Sequence, residues 1–185
     1  MTPEPEWVDL GLPSGVKWAK ANLGASLPES PGIYFSWGNT EGHPSGSGYD
    51  FSQEVYDTTP AAAITEDLSI EQDAARAILG APWRMPTDAE FQELFDNCAH
   101  EWTTVNGMYG ILFTSNVNGK TLFFPAAGLF DGTSLNRRGS YGYYWSSTFY
   151  SATQAVSMRF ETAEIHIPNY GSRRVGYTVR AVRSA

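Results

Sequence analysis

Few side chains in this sequence have the type and spacing for covalent or metal chemistry. Cys98 is the one cysteine, so no intrachain disulfide forms and no second thiol is at hand for redox work. At the end of a predicted helix it reads as a small buried hydrophobe. His43, His100 and His166 are dispersed, with no i, i+4 pair and no HExxH spacing, so no metal is expected. No serine stands in a GxSxG context, and no carboxylate pair stands out for acid–base work. The tract His43-Pro-Ser-Gly-Ser-Gly48 lacks the lysine and the GxxxxGK[ST] spacing of a phosphate loop. Arg173 and Arg174 suggest an anion site, or else they order the turn before the last strand by bonding carbonyls or carboxylates. No catalytic residue and no cofactor is therefore assigned, and the chain is not expected to be an enzyme.

The chemistry on offer is that of binding, and it lies between Gly139 and Arg183. Ser157 to Glu161 and Glu164 to Pro168 alternate strictly between apolar and other residues. A two-residue period places Met158, Phe160, Ile165 and Ile167 on one face of paired strands. Ser157, Arg159, Glu161, Glu164, His166 and Pro168 share the other. Around that second face the sequence gathers Tyr141, Tyr143, Phe149, Tyr150 and Tyr170, with Thr153, Asn169 and Val175 alongside. Tyrosine, serine, glycine and asparagine combine rigid contact area with adaptable hydrogen bonding. Several large aromatics left exposed together imply a partner. The expected binding face is thus Tyr141, Tyr143, Phe149, Tyr150, Thr153, Ser157, Arg159, Glu164, His166, Pro168, Asn169, Tyr170 and Val175.

The elements that must hold this face read as an α+β chain. Trp7–Leu12 and Val16–Asn22 are strand-like around the Pro13-Ser14-Gly15 turn, after a frayed lead-in over 1–6. Residues 23–60 are loop-rich. Ser69-Ile-Glu-Gln72 and Thr87-Asp-Ala-Glu90 are capping-box patterns, opening predicted helices over 70–79 and 88–98. Gly80 stops the first helix. Asn118-Gly119 predicts a hairpin between 109–115 and 120–125, and 177–182 reads as a final strand. Trp18, Trp37, Trp83 and Trp145 are expected in the core. No repeat and no domain boundary is visible, so 1–185 reads as one domain.

Composition narrows the partners. The net charge of −8 is unevenly spread. Seven arginines (137, 138, 159, 173, 174, 180, 183) face Asp131, Glu161 and Glu164 in residues 131–185, which carry +4, leaving −12 on the rest. An acidic body excludes general nucleic-acid binding, which depends on neutralising phosphates. No apolar run approaches the ~20 residues of a membrane span. MTPEPEWVDL lacks the charged-then-apolar pattern of a signal peptide, so none is expected in this chain. Nothing resembles a coiled-coil seam, and a monomer is expected.

Several motifs resemble those of a known fold. Ala81-Pro-Trp-Arg-Met-Pro-Thr-Asp-Ala-Glu-Phe91 resembles the W-R-[LM]-P-T-x-x-E-[WF] helix start of C-type-lectin-like domains related to formylglycine-generating enzymes. Gly176-Tyr-Thr-Val-Arg180 resembles their terminal G-[FY]-x-[VF]-R strand. VDLGLPSGVKWAKANLGA, WRMPTDAEFQEL, FFPAAG, GYYWSST and GYTVRAVR are similar to the Fibrobacter succinogenes major paralogous domain, in order from Trp7 to Arg183. The resemblance implies a C-type lectin-like fold, with two helices, a small antiparallel sheet and long loops. Its enzymatic members use a cysteine pair, which Cys98 alone does not supply. Its sugar-binding members hold calcium through EPN and WND motifs, which Ile167-Pro168-Asn169 and Trp145-Ser-Ser do not reproduce.

The C-terminal quarter also resembles the variable proteins of diversity-generating retroelements, in which Asn codons are scattered by mutagenesis at adenines. Residue types so reached stand at 141, 143, 149, 150, 153, 157, 159, 166, 168, 170 and 175, while Gln154, Glu161 and Glu164 fall outside that set. Gly142, Trp145, Ser146, Ser147, Phe160, Arg173, Arg174 and Gly176 resemble the fixed frame. What the resemblance implies is a binding face for protein or glycan ligands, displayed on a phage particle or a bacterial surface. Alternatives are a structural or adhesive domain of a surface lipoprotein or pilus, and an enzyme of the formylglycine-generating kind.

Overall fold

Turn chemistry divides this chain into many short strands. A computed structural model describes residues 3–53 and 64–184. Parts of the expected lead-in (1–2) and of the loop-rich stretch (54–60) lie outside the described residues. The first strands are β1 (Trp7–Val8), β2 (Lys17–Ala19), β3 (Ile33–Tyr34) and β4 (His43–Pro44). Helix α1 (Ala74–Leu79), strand β5 (Trp83–Arg84) and helix α2 (Asp88–Asn97) follow. Then come β6 (Cys98–Val105), β7 (Met108–Ser115), β8 (Thr121–Pro125), β9 (Leu129–Asp131) and β10 (Ser134–Asn136). The last are β11 (Gly142–Phe149), β12 (Gln154–Phe160), β13 (Ile165–Ser172) and β14 (Val182–Arg183).

The expected C-type lectin-like fold, two helices with one small antiparallel sheet, is corrected here. Among the described residues, 39% lie in strands and 13% in helices, and the strands form five small separate sheets. The architecture is broadly α+β with small sheets, and no clear C-type lectin fold. Their orders are β1-β2-β14-β5, β3-β4, β6-β7-β8, β9-β10 and β11-β12-β13. The expected strand over 177–182 shrinks to β14, because Tyr177 and Thr178 make only isolated bridges, to Phe35 and Tyr144.

The Asn118-Gly119 hairpin joins β7 to β8 as its residues predict. A second tight hairpin escaped sequence reading. Asn106 and Gly107, at φ 48° and 83°, join β6 to β7, with Val105 opposite Met108. Two consecutive left-handed residues give the turn whose twist suits paired strands.

Helix 70–79 proves to be two pieces. Ile70–Gln72 makes one 3-10 turn, and Asp73 then turns extended, at φ −89° and ψ 112°. It does so to cap α1: its carboxylate accepts from Arg76 N at 2.9 Å and from Met85 N at 2.8 Å. Burial pushes the Asp73 carboxyl up despite these amides.

α2 starts on the predicted capping box of Thr87 and Glu90. Glu90 also takes both ends of the Arg84 guanidinium, at 2.7 Å each. Burial raises this carboxyl, but the Arg84 bonds and the Thr87 contacts outweigh burial and hold it below its ordinary value. A depressed native value gives stability that is present above the unfolded carboxylate range and is lost as pH falls through the native one. Glu90→Gln should therefore cost about 1–3 kcal/mol at pH 7, and the gap should narrow below about pH 4. Urea unfolding at pH 7 and 3.5 measures both, and a gap that does not change with pH would contradict it.

Sheet β11-β12-β13 sits between two cores. Tyr144, Met158 and Phe160 enter the first, with Trp18, Phe91, Leu94, Phe113 and Phe124. Tyr143, Trp145 and Ala155 enter the second, with Trp37, Trp83 and Tyr177. Trp18, Trp37, Trp83 and Trp145 are all buried, as expected. Gly142 is tightly fitted, since a Cβ there would stand 2.1 Å from the Phe160 ring.

Arg180 lies between the first core and β2, and it is wholly buried. Its Nε and Nη2 donate to Asn22 Oδ1 at 2.9 and 2.7 Å, Nη2 also to Phe123 O at 2.9 Å, and the guanidinium lies 4.4 Å from the Phe124 ring centroid. Asn22 Nδ2 donates in turn to the Tyr144 hydroxyl at 3.0 Å, which donates to Pro125 O at 2.7 Å. Burial pulls Arg180 down to about 10 and pushes Tyr144 up to about 12, so at neutral pH one is charged and the other neutral. Among the described residues no carboxylate answers this arginine; carbonyls, an amide oxygen and a ring face do.

Candidate functional site

The predicted single binding face is split in two by the covering of the central sheet. Strand pairing places Tyr143 opposite Arg159 and Trp145 opposite Ser157. These four share a face, as alternation requires. Yet Ser157 is 0% exposed and Tyr143 5%, because Tyr177 and Trp37 lie in the core that covers Trp145 and Ala155. The expectation that Ser157 and Tyr143 face solvent is thus corrected, and only the end of that face near Arg159 and His166 opens outward. Ser157 instead closes a local pair, accepting from Asn169 Nδ2 at 3.0 Å and donating to Asn169 O at 3.2 Å.

A bulge adjusts the register there. Ser157 faces Asn169 and Arg159 faces His166, so one residue of β12, Met158, stands against two of β13, Ile167 and Pro168. The extra residue brings Asn169 and His166 to one face although their sequence spacing is odd.

At the open end the side chains form a charged aromatic cluster. Tyr141 is half-buried, with the Arg137 guanidinium 4.7 Å and the Arg159 guanidinium 5.8 Å from its ring centroid. Hydrogen bonding to Glu161 pushes the Tyr141 hydroxyl up. The ring stacks on Tyr143 at 6.1 Å, Tyr143 on Tyr177 at 4.8 Å, and Tyr177 on Trp145 at 4.2 Å. An unbroken aromatic column therefore runs from the surface to the second core. Beside it is an open cleft of ≈ 500 Å³ lined by Leu129, Asp131, Asn136, Arg137, Tyr143 and Tyr177. Arg137 donates to the Tyr143 hydroxyl at 3.0 Å from a left-handed backbone, φ 61°. Burial raises the Tyr177 hydroxyl, which stays protonated and able to donate.

Tyr150 and Tyr170 make a second patch. Their rings stack at 4.0 Å and 27°, and both stay exposed, at 48% and 45%. Tyr170 pairs with Val156, across the sheet from Ser157 and Asn169. Phe149, partly buried, faces the Arg173 guanidinium at 5.4 Å, and Trp37 faces the same group at 4.7 Å. Thr153 and Pro168 are exposed, and Val175 packs on the second core. Arg173 is buried and donates to the carbonyls of Ile64 and Ser151, so of the two readings it serves the turn.

Sequence reading missed Asp131, Asn136, Arg137 and Tyr177 at the cleft. Arg137 carries no turn signal, since arginine gives no hint of a left-handed backbone, and Tyr177 read as an ordinary strand residue. It placed Glu161, Glu164 and His166 on one face, but with no metal expected it did not read their ligand atoms as converging beside the β12–β13 turn. Cys98 is buried, and burial pushes its thiol up to about 11, so no thiolate forms there at neutral pH. Among the described residues no helix is long and apolar enough to cross a membrane.

Over residues 103–182 the chain matches the family model of a domain of unknown function, DUF8237. That stretch holds the whole of sheet β11-β12-β13 and the cleft, and neither helix. No curated protein and no solved structure matches the chain.

Proposed function

We propose that the chain is a non-catalytic binding protein that presents the open end of its central sheet to a protein or glycan ligand on a cell surface. The observation that carries this reading is Tyr141 held between Arg137 and Arg159, beside the tyrosine-walled cleft, on a sheet packed from both sides. Rigid aromatic rings flanked by guanidiniums are what dominate binding surfaces, because they add contact area with little loss of conformational freedom. Tyr150 and Tyr170 supply a second exposed anchor. The residue types at 141, 149, 150, 159, 166, 168 and 170 suit a face of the retroelement-diversified kind, shown on a virion or a bacterial surface. Positions 143 and 157 sit deeper, where exchange would disturb packing.

The test is a glycan array and intact bacterial cells probed with the parent chain and with Tyr141→Ala, Arg159→Ala and Tyr150→Ala/Tyr170→Ala. Far-UV circular dichroism confirms that each variant is folded. Binding should weaken by about 2 kcal/mol or more on loss of an anchor. Binding that survives every one of these changes, yet fails when residues 41–48 are altered, would place the site elsewhere. No binding to any glycan or cell would favour a structural domain whose face packs on a neighbour.

A further inference from the structure

The β12–β13 turn brings together three donors of mixed chemistry. Glu161, Glu164 and His166 each offer one ligand atom, and these lie within 4.8 Å of one another. His166 Nε2 is 3.0 Å from Glu164 Oε2. That nitrogen is screened from solvent and makes no hydrogen bond, so the contact has a hydrogen bond's length without its direction. A bare imidazole nitrogen and a carboxylate oxygen this close repel, and either a proton on Nε2 or a metal cation between them relieves it. The metal needs no N–H direction, which this contact lacks. An ion about 2.1 Å from each would see the two donors at roughly a right angle, narrower than a tetrahedral zinc bite and close to that of an octahedral or tetragonal site. The turn itself is closed by Glu161 N donating to Glu164 O at 2.9 Å, which fixes where both carboxylates start.

We propose that Glu161, Glu164 and His166 form a binding site for a divalent transition-metal ion. One imidazole with two carboxylates is a nitrogen–oxygen set suited to zinc, cobalt, nickel or copper. Calcium takes six to eight oxygens, which these side chains do not provide. The remaining positions fall to water or to a donor from outside the chain. Glu161 has two other claimants: Arg159 Nη2, 3.8 Å from its Oε1, and the Tyr141 hydroxyl. An ion would draw Glu161 away from both. The site stands whether or not the open end of the sheet binds a protein or glycan.

Cobalt(II) gives a direct readout, because its visible absorption reports its ligands. Titrating the full chain with Co²⁺ should develop bands that saturate at one equivalent, vanish on adding Zn²⁺ and persist with Ca²⁺. Outer-shell partners of metal sites are already worth about 10–100-fold in affinity, so His166→Ala and Glu161→Gln should each lose about tenfold or more. Glu101→Gln, a carboxylate that lines the same cleft as Glu161 and Glu164 but lies outside the set, should change nothing. Circular dichroism verifies the fold of each variant. No binding by the parent up to ~1 mM overturns the proposal. Equal affinity in His166→Ala, or an equal loss in Glu101→Gln, does so too, since the ion would then be held only by diffuse negative charge.

Discussion

Asn22→Ala should destabilise the protein by about 3 kcal/mol, more than any exposed substitution. Asn22 Oδ1 takes two of the Arg180 hydrogen bonds, and Asn22 Nδ2 supports Tyr144. Its removal leaves a wholly buried guanidinium with only the carbonyls of Ala19 and Phe123 as acceptors. Arg180→Met removes the charge together with the donors, so the two changes should not add. A double-mutant cycle by urea unfolding should give a coupling of about 1–3 kcal/mol. Strict additivity would mean that Asn22 does not stabilise the charge, and the account of this network would fail.

Phe160→Ala should cost about 3–5 kcal/mol, by lost burial and by the cavity left between sheet and helix. Phe160 is fully buried in the first core, and its ring lies 6.0 Å from Tyr144 and 6.4 Å from Trp102. The contrast is the quadruple change of Tyr141, Arg159, His166 and Tyr170 to Ala at the outward end. Each of those should stay within about ±0.5 kcal/mol. A quadruple variant that melts below Phe160→Ala would mean that scaffold and surface have been exchanged.

Local signals in the sequence were reliable where the physics is local. Both capping boxes, the Asn118-Gly119 hairpin and the four buried tryptophans are set by neighbours along the chain or by sheer apolar bulk. The inner face of β12 and β13 was likewise legible, since Met158, Phe160, Ile165 and Ile167 all pack on the first core. What alternation does not reveal is whether the opposite face meets water or a second core. Tyr143 and Ser157 fell on that ambiguity, covered by residues as distant in sequence as Trp37. The splitting of helix 70–79 was hidden for a similar reason. Asp73 leaves helical geometry partly to serve Met85 N, a partner twelve positions away. The fold-level resemblance rested on motifs that describe local pieces. The capped helix start at Thr87 formed, the terminal strand over 176–180 made only isolated bridges, and the strands paired as five small sheets among the described residues.

A sheet with a core on each side sets the rate at which different codons can change. Along 141–145 the chain passes from a half-open ring to a glycine pressed on Phe160, then to Tyr143, Tyr144 and Trp145, all buried. Tolerance to mutation therefore falls within a residue or two of the rim. Under selection for folding alone, Tyr141, Tyr150, Pro168 and Tyr170 would drift freely while Gly142, Tyr144, Trp145 and Phe160 stayed fixed. Change at the rim leaves the two cores untouched, and change one residue further in does not.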